Sequence, residues 1–145
     1  MKIVPRDSWE ALSLSHEGRV YIKLRHLWDT VVPRLMACGL DGEDKGYLLA
    51  TRLVASSRHF DPRSDGHLLP EVQQALQAVH DAGVVHGGDL RLDNILVEVH
   101  EGICGEAEGR RKRVWLIDFG LAEVDVTEQQ RKEEMHDLLR LLLVS

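Results

Sequence analysis

Apolar residues recur along this chain at two spacings, and each spacing predicts a kind of element. MKIV at the start is a short apolar run that predicts a strand over residues 1–4. Asp7-Ser8-Trp9-Glu10 then has the spacing of a capping box, so a helix is expected to begin there. Glu17, Val20, Tyr21, Leu24 and Trp28 follow at intervals of three and four, which carries that helix to about Trp28. Gly18 inside it costs about 1 kcal/mol relative to alanine and weakens that turn. Pro33 ends the helical option, and RLMACGL and YLLATRLV predict two strands around the polar turn DGEDKG. SSRHFDPRSDG is rich in turn formers and predicts a loop.

In the second half, Val72, Ala75, Leu76 and Val79 fall on one helical face, with Gly83 placed to close the helix. NILVEV and RVWLIDF predict two strands joined by a long polar hairpin loop, HEGICGEAEGRRK. A last helix is expected from about Thr127 to Val144, with Thr127 or Asp125 as its cap. Strand, helix, two strands, helix, hairpin, helix is the order of an α+β protein with segregated layers.

With 145 residues, one domain with a real core is expected. A net charge of −6 excludes a general nucleic-acid binder, because no broad basic surface is available to neutralise phosphates. The basic run Arg110 to Arg113 is short and flanked by acids, so it reads as a solvated loop. The longest apolar run, LLRLLLV, is interrupted by Arg140 and too short for a bilayer, so no membrane partner is expected. The start has no signal peptide of the usual build, and Cys38 and Cys104 form neither a disulfide framework nor a CxxC pair. An intracellular setting, cytoplasmic or nuclear, is the expectation. None of the eight histidines has the spacing of a zinc site, and His80 and His86 are six apart across a helix end, off a common face.

The informative stretch is HGGDLRLDN, residues 86–94, between a predicted helix and a predicted strand. Such a junction concentrates function, although a plain solvated turn would read the same way. If the two following strands pair, Asn94 at the start of one lies near Asp118 at the end of the other. Their side-chain oxygens are hard ligands of the kind Mg²⁺ prefers. Asp89 adds a carboxylate free to accept a proton, and Arg91 a cation for a developing anion. Metal ligands, an acceptor and a cation are the inventory of phosphoryl transfer.

These residues resemble a known family. HGGDLRLDN is similar to the protein-kinase catalytic loop, in its HGDL form, and IDFG at 117–120 to the metal-binding D-F-G segment. The resemblance implies an α+β, two-lobe kinase-like fold, with 1–54 as a partial first lobe and hinge and 55–145 as a partial helical lobe. It implies ATP and Mg²⁺, with Asp89 as catalytic base, Arg91 facing the phosphates, and Asn94 and Asp118 as metal ligands. It makes Leu96 the apolar residue beneath the adenine, Thr51 the gatekeeper, and the backbones of Arg52 and Val54 the groups that meet the adenine edge. Lys2 resembles the strand lysine, Glu17 its helix partner, and Asp137 the aspartate that braces the catalytic loop from below.

This sequence also departs from the family's pattern. No glycine-rich hairpin precedes Lys2, so reduced ATP affinity and rate are expected. An extra glycine separates His86 from Asp89, and it is expected to displace His86 while the base stays in register. Asp118 and Asp137 are 19 residues apart with no A-P-E, leaving little room for an activation loop or a peptide-docking segment. The apolar LLRLLLV is expected to offer surface to a protein partner or a second copy. The implied function is transfer of a γ-phosphoryl group to a hydroxyl, on protein Ser/Thr or on a small molecule. The alternative is a truncated or degenerate kinase fold that binds without transferring.

Overall fold

A helix does start where expected, but the cap of α1, Trp9–Lys23, is Ser8, whose hydroxyl accepts from the Ala11 N–H at 3.3 Å, one residue after the Asp7 that the Asp7–Glu10 spacing puts at the cap. The helix stops short of the expected Trp28. Arg25–Leu27 tightens into a 3₁₀ turn, and the Trp28 indole donates to the Tyr21 carbonyl at 2.9 Å, satisfying an acceptor that the helix end leaves free. Gly18 has a packing reason: a Cβ there would sit 2.3 Å from the Cys38 sulfur, so its absence lets the helix settle onto a sheet. This computed structural model describes residues 1–40, 46–101 and 110–143, with the side chains at 100–101 and 110–111 left aside.

The sheet under α1 is antiparallel, formed by β1 (Lys2–Pro5), β2 (Leu35–Leu40) and β3 (Gly46–Thr51) in the order β1-β3-β2. Lys2 and Cys38 both pair with Leu49, so all three share the face that α1 covers. The predicted strand YLLATRLV leaves the sheet after Thr51, and Arg52–Val54 forms an extended connection to the second half. The polar turn at 41–45 and the hairpin loop at 102–109, with Cys104, lie outside the described residues.

SSRHFDPRSDG is more ordered than its composition suggests. Ser57–His59 forms β4, and Pro62–Asp65 forms the short helix α2. The cause is Asp65, fully buried, which accepts from Arg58 at 2.5 and 2.7 Å, from the Asp61 N–H at 2.9 Å and from Lys112 at 3.2 Å. Arg58 and Asp61 belong to the same stretch and only Lys112 comes from afar; turn-forming composition does not show that Asp65 turns inward to meet them. Helix α3, Leu69–Asp81, buries Val72, Ala75, Leu76 and Val79 as its spacing predicts, and Gly83 follows with φ +80°.

After the short strand β5 (Val84–Val85), β6 (Ile95–Glu101) and β7 (Arg110–Leu116) form the predicted hairpin, with Ile95 opposite Leu116, and β4 adds to its edge. Two details differ from expectation: Arg110–Lys112, read as part of a solvated loop, belong to β7, and the strand stops before Ile117. Arg113 lies within β7, its guanidinium 4.3 Å over the Trp115 ring and donating to the Asp29 and Thr30 carbonyls. β8 (Glu123–Val124) pairs with β5. Helix α4, Glu128–Leu143, is capped by Thr127: its hydroxyl accepts from the Gln130 N–H at 3.2 Å while Gln130 reaches back to the Thr127 N–H at 2.9 Å. One hydrophobic cluster runs from Leu14 and Leu24 of the first half through Leu76, Ile95 and Phe119 to Leu138 and Leu142 of α4, while Leu143 stays exposed. The architecture is α+β, and no described helix is long and apolar enough to cross a membrane.

Candidate active site

Three charged side chains, from β1, the middle of α1 and the segment after β7, meet at one point. Lys2 Nζ lies 2.9 Å from Glu17 Oε2 and 3.0 Å from Asp118 Oδ1, across 15 and 116 residues of sequence. Glu17 is only 2% exposed, turned inward on the same stripe as Val20 and Leu24, and its other oxygen accepts from the Phe119 N–H at 3.2 Å. It therefore ties β1 to the segment after β7. Burial works to lower the Lys2 pKa, but hydrogen bonding and charge from Glu17, then Asp118, outweigh it and hold the ammonium above its ordinary value. Asp118 sits at φ +63°, a left-handed conformation that aspartate tolerates better than most residues. Beneath it, Tyr21 meets Phe119 edge-on at 5.3 Å; burial, then the Glu17 charge, push its phenol far above the usual range.

The polar loop is built around Asn94. Its amide nitrogen donates to the Asp89 carbonyl at 2.7 Å, and its backbone carbonyl accepts from the Ile117 N–H at 3.0 Å. The hairpin thus brings Asn94 against the residue next to Asp118, and the buried amide keeps its oxygen as an acceptor. Asp89 and Arg91 are paired with each other, carboxylate to guanidinium at 2.9 Å.

His86, beside the extra glycine, is packed into the core. It is fully buried, its Nε2 donates to the Ile117 carbonyl at 2.7 Å, and its ring lies 4.9 Å from that of Phe119. Gly87 absorbs the insertion at φ +83°, where a Cβ would lie 2.0 Å from the Leu121 carbonyl oxygen.

The brace beneath the loop is Glu134, and Asp137 is exposed. Glu134 accepts from the His86 N–H at 2.8 Å, the Gly87 N–H at 2.9 Å and His80 Nε2 at 3.0 Å. The sequence reading missed it, yet a signal was there: Glu134 lies four and eight residues before Leu138 and Leu142, a carboxylate on an apolar stripe. His80 and His86, off a common helical face, still converge because the carboxylate comes from a third element.

Between the Lys2 cluster and the Arg52–Val54 connection lies a cavity of about 300 Å³, lined by Lys2, Glu17 and Asp118 together with Thr51, Arg52, Val54 and Leu96. Asp89, Arg91 and Asn94 do not line it; they belong to the loop packed against Ile117, one of its walls. The Arg52 N–H is taken by the Arg34 carbonyl at 2.8 Å, which leaves the Arg52 carbonyl as acceptor. The Val54 carbonyl accepts from the Ser57 hydroxyl at 2.7 Å, which leaves its N–H as donor. Among the described residues no three His, Cys, Asp or Glu side chains group as a metal site; the expected pair is one amide and one carboxylate.

Comparison with known proteins bears on this arrangement. The model of the lipopolysaccharide kinase (Kdo/WaaP) family matches residues 49–144, from within β3 to the end of α4. The KEOPS complex subunit Bud32 of Pyrococcus abyssi is 35% identical over 72 residues, covering 50% of this chain and 27% of that protein. The meiotic driver SPOK2 of Podospora anserina is 29% identical over 125 residues, covering 81% of this chain and 14% of that protein. The chain thus spans only a minor part of the length of either relative.

Proposed function

The chain belongs to the lipopolysaccharide kinase (Kdo/WaaP) family, and from that premise we propose that it is an ATP- and Mg²⁺-dependent phosphotransferase with a protein-kinase-like site. The observation that carries this reading is the Lys2–Glu17–Asp118 cluster lining one cavity together with Thr51, Arg52, Val54 and Leu96. In this reading the hinge is Arg52–Val54, with residues 1–54 as one lobe and 55–145 as the other. The Arg52 carbonyl and Val54 N–H offer the acceptor and donor that an adenine edge requires. Lys2, held protonated by Glu17, is a fixed cation for the α- and β-phosphates. Asn94 and Asp118 suit Mg²⁺ by the chemistry of their hard oxygens, and the ion, when bound, would neutralise charge on the β- and γ-phosphates.

Asp89 orients the acceptor hydroxyl and takes its proton as the new P–O bond forms and ADP leaves. Arg91 balances charge on the transferring group. Catalysis is then positioning plus electrostatics, with little covalent work by the protein. The acceptor is a hydroxyl, read as protein Ser/Thr, with the lipopolysaccharide of the family's name as the alternative class. One observation favours a second reading, a nucleotide-binding module without transfer: the Asp89–Arg91 ion pair occupies the carboxylate that would take the proton.

Thermal melting with and without millimolar MgATP tests the first step. A rise in Tm that disappears in Asp118→Asn supports the nucleotide site, and no rise in the wild type removes both readings. ATP turnover then separates them: a fall of about a hundredfold or more in Asp89→Ala marks an enzyme, and equal rates mark a binder.

A further inference from the structure

Two cavities border the connection Arg52–Val54. Besides the one already described, a second of about 370 Å³ lies against the same residues, bounded by Asp29, Glu98, Arg113 and Trp115. Pro33, Arg52, Leu53 and Val54 line both, and Leu53 is 86% exposed. A connection bordered by two cavities has little core packing to hold it, so something else must fix its peptide planes. Polar ties fill that role, and they centre on Asp29.

Asp29 stands at φ +61° in the turn after α1. Its carboxylate receives Arg34 Nε at 2.9 Å and Arg52 Nη1 at 3.2 Å, while its backbone carbonyl accepts from Arg113 of β7. One residue therefore links the start of β2, the hinge and the second sheet. Arg52 is gripped twice, through its guanidinium by Asp29 and through its N–H by the Arg34 carbonyl, and Arg34 is itself held by Asp29. Asp29 is 26% exposed and Arg52 64%, so the pair is screened by water and adds little to global stability. Its consequence is orientation.

We propose that Asp29 is a positioning residue for nucleotide-base recognition: by clamping Arg34 and Arg52 from behind the hinge, it sets the direction of the Arg52 carbonyl and Val54 N–H toward the base. This rests on the nucleotide reading above, and it assigns a base-specific role to a side chain outside the nucleotide cavity.

Asp29→Asn removes the charge while keeping size and tolerance of a left-handed backbone, and Arg52→Gln removes the same ion pair from the other side. Binding of MgATP and of magnesium tripolyphosphate, which has no base, is measured by calorimetry for the wild type, both single variants and the double. The expected result is ATP affinity weakened about three- to tenfold in each single variant, the scale of one misaligned hydrogen bond. The double variant should be no weaker than the singles, and tripolyphosphate binding should be unchanged throughout. ATP affinity unchanged in both variants, or equal losses for ATP and tripolyphosphate, overturns the proposal while leaving the nucleotide site standing. Failure of the wild type to bind ATP overturns the nucleotide reading itself. Should Asp29→Asn fail to fold, Arg52→Gln alone decides between these outcomes.

Discussion

Gly87 and Gly88 are adjacent and chemically identical, yet the structure asks very different things of them. Gly87 has φ +83°, and a side chain there would collide with the Leu121 backbone at 2.0 Å. Gly88 has nothing within 4 Å of an added Cβ. Gly87→Ala is therefore expected to lose roughly 2 kcal/mol or more, a left-handed penalty of about 1–2 kcal/mol plus a clash with immovable backbone. Gly88→Ala should stay within about 0.5 kcal/mol of wild type. Urea midpoints of the two variants check this directly, and equal midpoints would refute the account of how the loop absorbs its extra residue. Lys2 belongs to the same scale. Lys2→Met keeps the length of the side chain and removes the ammonium, leaving Glu17 buried without its cation; nucleotide-dependent stabilisation and turnover should fall at least tenfold, read by MgATP titration.

At the scale of elements, what matters is how a helix far along the chain holds a loop in the middle of it. Helix α4 inserts Glu134 between α3 and the polar loop, where one carboxylate satisfies two backbone N–H groups and His80. A carboxylate is acceptor-only, so it can serve three donors at once. Glu134→Gln places an NH₂ against at least one of those donors. It is expected to destabilise the fold by about 2–3 kcal/mol, the cost of a buried donor left unsatisfied. Turnover should fall with it, because the loop that carries Asp89 loses its support. Asp137→Asn, on the exposed side of the same helix, should change neither. Chemical denaturation of both variants is the measurement, and similar losses in the two would return the bracing role to Asp137. Half of this was readable beforehand: helical spacing places Glu134 with Leu138 and Leu142. Which element its carboxylate meets depends on how α4 docks, and periodicity carries no such information.

At the scale of the whole molecule, the buried Asp65 cluster is expected to respond to pH. Hydrogen bonds from Arg58 hold its carboxyl well below the ordinary range, against the opposing effect of burial, with further help from the Asp61 N–H and Lys112. A carboxyl whose pKa is depressed by folding stabilises the fold fully above its unfolded pKa of about 3.9, and that contribution is lost as pH falls toward the folded value. Wild type should therefore exceed Asp65→Asn by about 3 kcal/mol at pH 7, and the gap should narrow from about pH 4 downward. Denaturation curves from pH 7 to pH 3 measure this, and a gap independent of pH would show that the charge is not what ties Arg58, α2 and Lys112 together.

By itself the amino-acid order determined the elements and the chemistry they carry. Spacings of three and four marked α1 and α3, Ser8 and Thr127 marked helix starts, and two apolar runs marked the β6–β7 hairpin. The quoted motifs singled out Asp89, Asn94 and Asp118, helical phase put Glu17 on the face of Val20 and Leu24, and the resemblance to protein kinases implied its pairing with Lys2. All of these are short-range regularities, set by backbone geometry and by which side chains avoid water. Only the tertiary structure decided the rest: that SSRHFDPRSDG orders around Asp65, that Glu134 braces the loop, that His86 is buried while Gly87 takes a positive φ, and that Asp29 holds Arg34 and Arg52. Each depends on at least one partner tens of residues away, and the free energy of such a pair exists only once packing has excluded water from around it and brought its two halves together.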